Sequence, residues 1–189
     1  GIVHFGYDET AVMDVKGIKV GLVGIYELYD HLEREQQLKD NIAKVKADGA
    51  QLIVVIFHWG NETETVPDSN QTTLGRIAID EGADLVCGHH PHVLQGIEYT
   101  EDGPIVYSLG DFWFNDETKY TGLLNLEITS EGLKQMSFTP CEQKDSQTQY
   151  LNNAESQRAL FDHLQEISPN ITIDDTGVIT ELKDVDAES

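Results

Sequence analysis

Positive charge is scarce in this chain. Twelve Lys and Arg stand against 34 Asp and Glu, for a net charge of −22 at pH 7. Nucleic-acid binding relies on clustered basic residues that displace counterions from phosphates, so the balance argues against it, and against docking on anionic lipid. An acidic surface is foremost a solvated one, but it sets a condition. An anionic substrate here needs a metal or a local basic pocket to overcome the field. Cysteine is nearly absent: Cys87 and Cys141 are too few for a disulfide framework and do not report a redox compartment. Cys87 ends an apolar run and reads as buried. Long hydrophobic runs are missing as well. Leu52 to Phe57 is the longest and is only strand length, and nothing reads as a signal peptide, although the start at Gly1-Ile2-Val3 is compatible with a targeting segment removed earlier. There is no Gly-rich phosphate loop, nucleophile elbow or Cys-His pairing.

What is present is a soluble globular composition of one-domain size: 189 residues, 39% hydrophobic and 24% charged. The organising stretch is Leu85-Val86-Cys87-Gly88-His89-His90-Pro91-His92. Three of the chain's seven histidines follow an apolar run within four residues. Gly88 is expected to let the backbone turn as it leaves a strand, and Pro91 restricts how His90 and His92 are presented. Ligands of open α/β sheets bind beyond the carboxyl ends of strands. The cluster therefore points to a metal or anion site rather than a plain loop of hydrogen-bonded histidines.

Taken in order, 11–26 reads as a hairpin turning at Lys16-Gly17. Asp30 and Glu33 suggest a capping box for a helix built on Leu38, Ile42 and Val45 and closed by Gly49. Leu52 to Phe57 is a buried-type strand leading into His58-Trp59-Gly60-Asn61-Glu62. A second round repeats the plan: a helix on Leu74, Ile77 and Ala78, Gly82, then the strand Ala83 to Cys87. Two parallel strands of this kind place His58 and the 89–92 cluster on one sheet edge, near enough to share a ligand. Antiparallel hairpins follow at 96–108 and 123–138. Residues 142–153 read as linker-like, 154–167 as a short amphipathic helix, 171–180 as a small hairpin, and the last residues as frayed.

His58, His89, His90, His92, Glu62 and Asp111 are nitrogen and oxygen ligands after strands, a mixture suiting Zn²⁺, Mn²⁺ or Fe²⁺ better than Ca²⁺ or Mg²⁺. Such a metal polarises a phosphoryl or carbonyl oxygen and acidifies bound water. Asp111 reads as a ligand, as the orienter of a histidine, or as a turn residue, the commonest use of Asp after Gly. Glu62 reads equally as a solvated loop charge or as a functional carboxylate. Trp59, Phe112, Trp113 and Phe114 are expected to be core rather than an aromatic wall.

Three ordered motifs carry a resemblance: Phe57-His58-Trp59-Gly60-Asn61-Glu62, then Gly82 to Val86 leading to Gly88-His89-His90-Pro91-His92-Val93-Leu94-Gln95, then Pro104 to Phe112. Over most of residues 1–140 the chain resembles the CapA family, poly-γ-glutamate capsule biosynthesis proteins similar to calcineurin-like metallophosphoesterases. The resemblance implies an α/β fold, part of a metallophosphoesterase-like α/β/β/α sandwich whose mixed sheet passes to antiparallel hairpins towards the C-terminus. It also implies a divalent metal site (Mn, Zn or Fe), with two ions in a complete domain. His58 and His92 fall on the family's histidine positions, and His89 or His90, or both, complete a Gly-His-x-His-like end. The family often has Asn where this chain has Asp111. Family members begin with an Asp-bearing strand motif and an Asn-His motif upstream of anything present here. The chain is thus expected to be the C-terminal half of such a domain at 1–142, with an extension at 143–189.

The function implied is capsule polymer synthesis or export with a metallophosphoesterase-like site, in which His90 and Glu62 are the candidate catalytic groups and His58, His89, His90, His92 and Asp111 the candidate ligands. The alternative is a non-catalytic polymer-binding component with a remnant site. Expected partners are the anionic polymer or its synthesis machinery, with no nucleic acid. Self-association, or pairing with the missing N-terminal half, would cover exposed strands. The resemblance places the full-length protein at the cell surface, membrane-anchored.

Overall fold

Lys16 and Gly17 both adopt positive φ, 55° and 91°, which is the two-residue turn that matches the twist of paired strands. They join β1 (Ala11–Val15) to β2 (Ile18–Tyr26) as the expected hairpin. In this computed structural model, which describes residues 1–183, α1 (Glu35–Ala47), β3 (Leu52–His58), α2 (Ser69–Asp80) and β4 (Leu85–His89) then form two αβ rounds. β5 (Leu94–Tyr99) and β6 (Pro104–Leu109) complete a six-stranded sheet of order β1-β2-β3-β4-β6-β5. β2, β3, β4 and β6 are parallel, and the outer strands β1 and β5 are antiparallel to their neighbours.

α1 and α2 cover one face of this sheet. Leu38, Ile42 and Val45 of α1 and Leu74 and Ala78 of α2 meet Val23, Val55, Phe57, Val86 and Ile105 in one buried cluster. The other face buries Leu52, Val54, Leu85, Ile97 and Val106 against a second sheet. That sheet has the order β10-β11-β8-β7, with β9 also paired to β8. Its strands are β7 (Lys119–Thr129), β8 (Gly132–Lys144), β9 (Gln147–Tyr150), β10 (Ile171–Ile173) and β11 (Val178–Glu181). Helix α3 (Ala154–Glu166) contributes Leu160, Phe161 and Leu164 to the inter-sheet core. The fold is thus a mixed α/β sandwich with antiparallel hairpins in its C-terminal part.

Two local readings change. Asp30 does not cap α1: its side chain pairs with Arg34, residues His31–Arg34 form a 3₁₀ turn, and the helix starts at Glu35. A complete capping box occurs one helix later, where Asp68 accepts from the backbone of Asn70 and Gln71 and the Gln71 side chain returns to the Asp68 N–H. The polar run from 142 is not a linker. β8 continues to Lys144, turns through Asp145 and Ser146 at φ 50° and 58°, and returns as β9. An edge hairpin of this kind needs few apolar residues, so polarity alone hides it. Elements on both sides of residue 142 therefore share one core. The frayed end lies outside the described residues.

Trp59 is buried as expected, but Phe112, Trp113 and Phe114 are 47%, 70% and 62% exposed, not core. Cys87 and Cys141 are both buried and unpaired. Burial pushes the Cys87 thiol up to about 12. Only the thiolate attacks, so Cys87 is expected to stay unlabelled by a disulfide reagent in the native protein and to react fully in denaturant. Rapid native labelling, read by mass spectrometry, would contradict this.

Candidate metal centre

The parallel register sets the site. Tyr26 of β2 pairs with His58 of β3, which pairs with His89 of β4, so three strands end level at one sheet edge. The two following loops run side by side. The Trp59 N–H donates to the His89 carbonyl at 3.1 Å, and the Thr63 N–H donates to the Pro91 carbonyl at 2.8 Å. Gly60 adopts φ 77°, and a Cβ there would lie 2.5 Å from the Gln71 side chain. Gln71 and Gln95 are fully buried, and they link the α2 cap to the loop: Gln71 Nε2 donates to Gln95 Oε1 at 2.7 Å, and Gln95 Nε2 to the Glu64 carbonyl at 2.8 Å.

Gly88 has a different task from the one its sequence position suggests. It lies inside β4, not in a turn, and a Cβ on it would sit 2.1 Å from the Tyr107 carbonyl oxygen and 2.2 Å from Trp59 Nε1. It makes room for the buried Trp59 Nε1–H bond to that carbonyl, 2.9 Å long. The turn itself is made by His90 and His92, at φ 105° and 62°. Such conformations are costly for side-chain-bearing residues and persist only where the surroundings enforce them.

Among the described residues, Glu62, His90 and His92 each offer a ligand atom, and these atoms lie within 4.8 Å of one another. His92 Nδ1 donates to Asp111 Oδ1 at 2.6 Å, while Lys119 Nζ reaches the other carboxylate oxygen at 3.4 Å. A carboxylate on one ring nitrogen fixes the tautomer and leaves Nε2 as the lone-pair donor. Asp111 thus stands behind His92 and outside the three-residue group. His58 is next to the group, its ring 4.7 Å from that of His90 and stacked at 5.3 Å on Tyr26. His89 is half-buried and lies outside the three-residue group.

Burial holds the imidazoles of His58, His89 and His90 below the ordinary histidine range. For His58 and His90 the neighbouring rings push the same way. Neutral imidazole is the ligating form, so the environment favours the state a metal requires. The two imidazole nitrogens and one carboxylate of the donor set fit one divalent transition ion with an open coordination position.

One carboxylate escaped sequence reasoning. Glu27, just after β2, is 1% exposed; it pairs with His31 Nδ1 at 2.6 Å and accepts the Gly60 N–H at 3.4 Å. A lone Glu closing an apolar strand at the same edge as His58 was the available signal.

Residues 4–116 match the family described as bacterial capsule synthesis protein PGA_cap. The chain belongs to that family. The matched span contains every residue of the three-ligand group, together with His58, His89 and Asp111. Among relatives, the capsule biosynthesis protein CapA of Bacillus anthracis is 38% identical over 98 residues, covering 50% of this chain and 24% of that protein. The PGA biosynthesis protein CapA of Bacillus subtilis (strain 168) is 38% identical over 96 residues, 49% of this chain and 25% of its own length. A probable polyglutamine synthesis accessory protein of Mycobacterium tuberculosis is 30% identical over 90 residues, 47% of this chain and 23% of that protein. The chain spans about a quarter of the length of these relatives. A hypothetical protein from Thermus thermophilus shares the fold, with a TM-score of 0.51 at 12% identity over 71% of this chain and 62% of that one.

Proposed function

We propose that this chain is a CapA-like component of poly-γ-glutamate synthesis or export that binds one divalent ion, Mn²⁺, Zn²⁺ or Fe²⁺, through Glu62, His90 and His92. The observation that carries the reading is the convergence of those three ligand atoms, inside the span that matches the capsule synthesis family. His90 and His92 supply neutral nitrogen donors, and Glu62 supplies the anionic oxygen that offsets the ion's charge. Asp111 holds the His92 ring, and Lys119 neutralises Asp111. An ion held by these residues would supply Lewis-acid chemistry toward a phosphoryl or carbonyl oxygen. It would also lend an acidic protein of net charge −22 a local attraction for an anionic polymer. His58, left neutral by burial and with its ring 4.7 Å from that of His90, is free to take up a proton beside the ion, as a weaker base than an ordinary imidazole. In a complete domain a second ion would use His58 or His89 with ligands from elsewhere.

A non-catalytic, polymer-binding role is the second reading. It is favoured by the gathering of only three ligands into one group among the described residues. Calorimetry with Mn²⁺ and Zn²⁺, followed by turnover of a generic phosphodiester, separates the two. Stoichiometric binding with turnover supports the hydrolase; polymer binding without turnover supports the second reading; no metal binding rejects the site. Action at the cell surface, within a longer anchored protein, belongs to the same proposal. So does association through the β1 edge, where Met13 and Val15 are 41% and 39% exposed; fractionation and sedimentation test these two.

Asp111→Asn keeps the shape but weakens the acceptor on His92 Nδ1. Outer hydrogen-bond partners of this kind typically contribute about 10–100-fold in metal affinity, and a loss in that range is expected by calorimetry. Unchanged affinity would remove Asp111 from the centre.

A further inference from the structure

The rings at the sheet edge do not stop at the metal group. From Tyr7 to Tyr26 the centroids are 6.3 Å apart, from Tyr26 to His58 5.3 Å, and from His58 to His90 4.7 Å. The row continues from His90 to His92 over 5.6 Å and from His92 to Phe114 over 4.4 Å. Tyr29 branches off Tyr26 at 5.9 Å. Both ends are open to solvent: Tyr7 is 61% exposed, Tyr29 81% and Phe114 62%. Each of these outer rings packs on one neighbour and leaves more than half of its surface in water, and exposed apolar surface beside a site commonly marks binding.

The rings are also held in place. Buried Gln143 accepts the Phe114 N–H at 2.6 Å and donates to Asn115 Oδ1 at 3.1 Å, fixing the loop that presents Phe114. At the other end Asn41 Nδ2 donates to the Tyr7 carbonyl at 2.6 Å. A cavity of about 290 Å³ lies there, between Tyr7, Tyr26, His58 and His89.

We propose that this row is a track that binds an extended γ-linked glutamate chain lengthwise through its backbone, with Tyr7, Tyr29 and Phe114 as the outer contacts on either side of the centre. This rests on the polymer reading above and says how the same site takes its substrate. A γ-linked residue carries two more backbone carbons than an α-linked one and advances roughly 6 Å against ~3.4 Å, so each step of the row takes about one residue or less, the six rings from Tyr7 to Phe114 take several, and a dimer follows only part of it. Tyrosine and phenylalanine rings offer flat, uncharged faces to amide planes and methylene pairs. That choice suits a protein of net charge −22, which gains nothing from meeting the polymer's carboxylates across its surface. Contact through the backbone leaves those carboxylates in water, apart from any that meets the centre.

The test is fluorescence anisotropy with labelled long γ-linked chains and with the γ-linked dimer, Mn²⁺ present throughout, on the unaltered chain and on Tyr7→Ala, Tyr29→Ala and Phe114→Ala. Each variant should weaken long-chain binding roughly three- to tenfold and leave the dimer within about twofold. Raising NaCl should leave long-chain affinity unchanged or improve it, because salt screens like-charge repulsion. If the variants bind the long chain as well as the unaltered protein does, or lose dimer and long chain equally, the track is wrong while the polymer reading stands. If neither length binds, the polymer reading falls and the track with it. Tyr29, the most exposed ring, keeps the test decisive should another variant fold poorly.

Discussion

Gly88→Ala is expected to destabilise the protein by about 3 kcal/mol or more, the range of overpacked cores and broken buried hydrogen bonds. The added methyl would lie 2.1 Å from the Tyr107 carbonyl oxygen, an atom of β6, and 2.2 Å from the indole nitrogen bonded to it. Neither is the free end of a flexible side chain. Relief requires β4 and β6 to separate, or Trp59 to leave a position where it is fully buried and stacked 4.2 Å from Phe57. For a chain of this length the loss corresponds to a fall in Tm on the order of 10 °C. Gly75→Ala is the control. Its Cβ would lie 3.2 Å and 3.3 Å from Ile105 Cδ1 and Cγ2 and 3.4 Å from Trp59 Cη2, contacts that a shift of a few side-chain atoms relieves, and alanine is the better helix former by about 1 kcal/mol, so its Tm should fall far less than that of Gly88→Ala. Equal melting of the two variants by circular dichroism would refute this account of Gly88.

His90→Ala should weaken Mn²⁺ or Zn²⁺ binding by more than the ~100-fold upper range for outer-shell partners, since it removes a donor from a three-residue group. The pH dependence carries a sign that can be checked. Metal and proton compete for the ring nitrogens. Burial holds the His90 imidazole below its usual value, so the His90 contribution to affinity should persist on acidification past the ordinary histidine pKa of about 6.5 before it falls. Fold stability follows the same direction. As pH drops through the unfolded-state value, the unfolded chain takes up protons that folded His58, His89 and His90 still refuse, and stability is lost until the folded-state pKa is reached. Calorimetric affinity of the intact chain that does not fall on acidification, or a His90→Ala variant that binds as tightly, would count against the centre.

The αβ grammar was legible because burial on both faces writes itself as continuous apolar strands. Leu52 to Phe57 and Leu85 to Cys87 read as inner parallel strands, and their equal phasing put His58 and the 89–92 cluster on one edge. What was not legible depended on partners far along the chain. Gly88 looks like a turn residue until Tyr107, 19 positions later, is seen against it. Asp30 looks like a cap until Arg34 occupies it and His31 is drawn to Glu27. Asp111 kept three readings because only the fold places it on His92. Phe112 to Phe114 read as core because hydrophobicity carries no sign of whether a surface is covered. The β8–β9 turn was invisible for the opposite reason, since an edge hairpin can be polar on both sides.

The loops that carry the centre are tied together by two main-chain bonds, Trp59 N–H to the His89 carbonyl and Thr63 N–H to the Pro91 carbonyl, and by the side-chain amide of Gln95 donating to the Glu64 carbonyl. None of these links runs through the side chains of Glu62, His90 or His92. Scaffold and chemistry are therefore inherited separately. Selection can exchange the ligand set, lose it, or tune it for another ion, one residue at a time, without redrawing the loop that presents it.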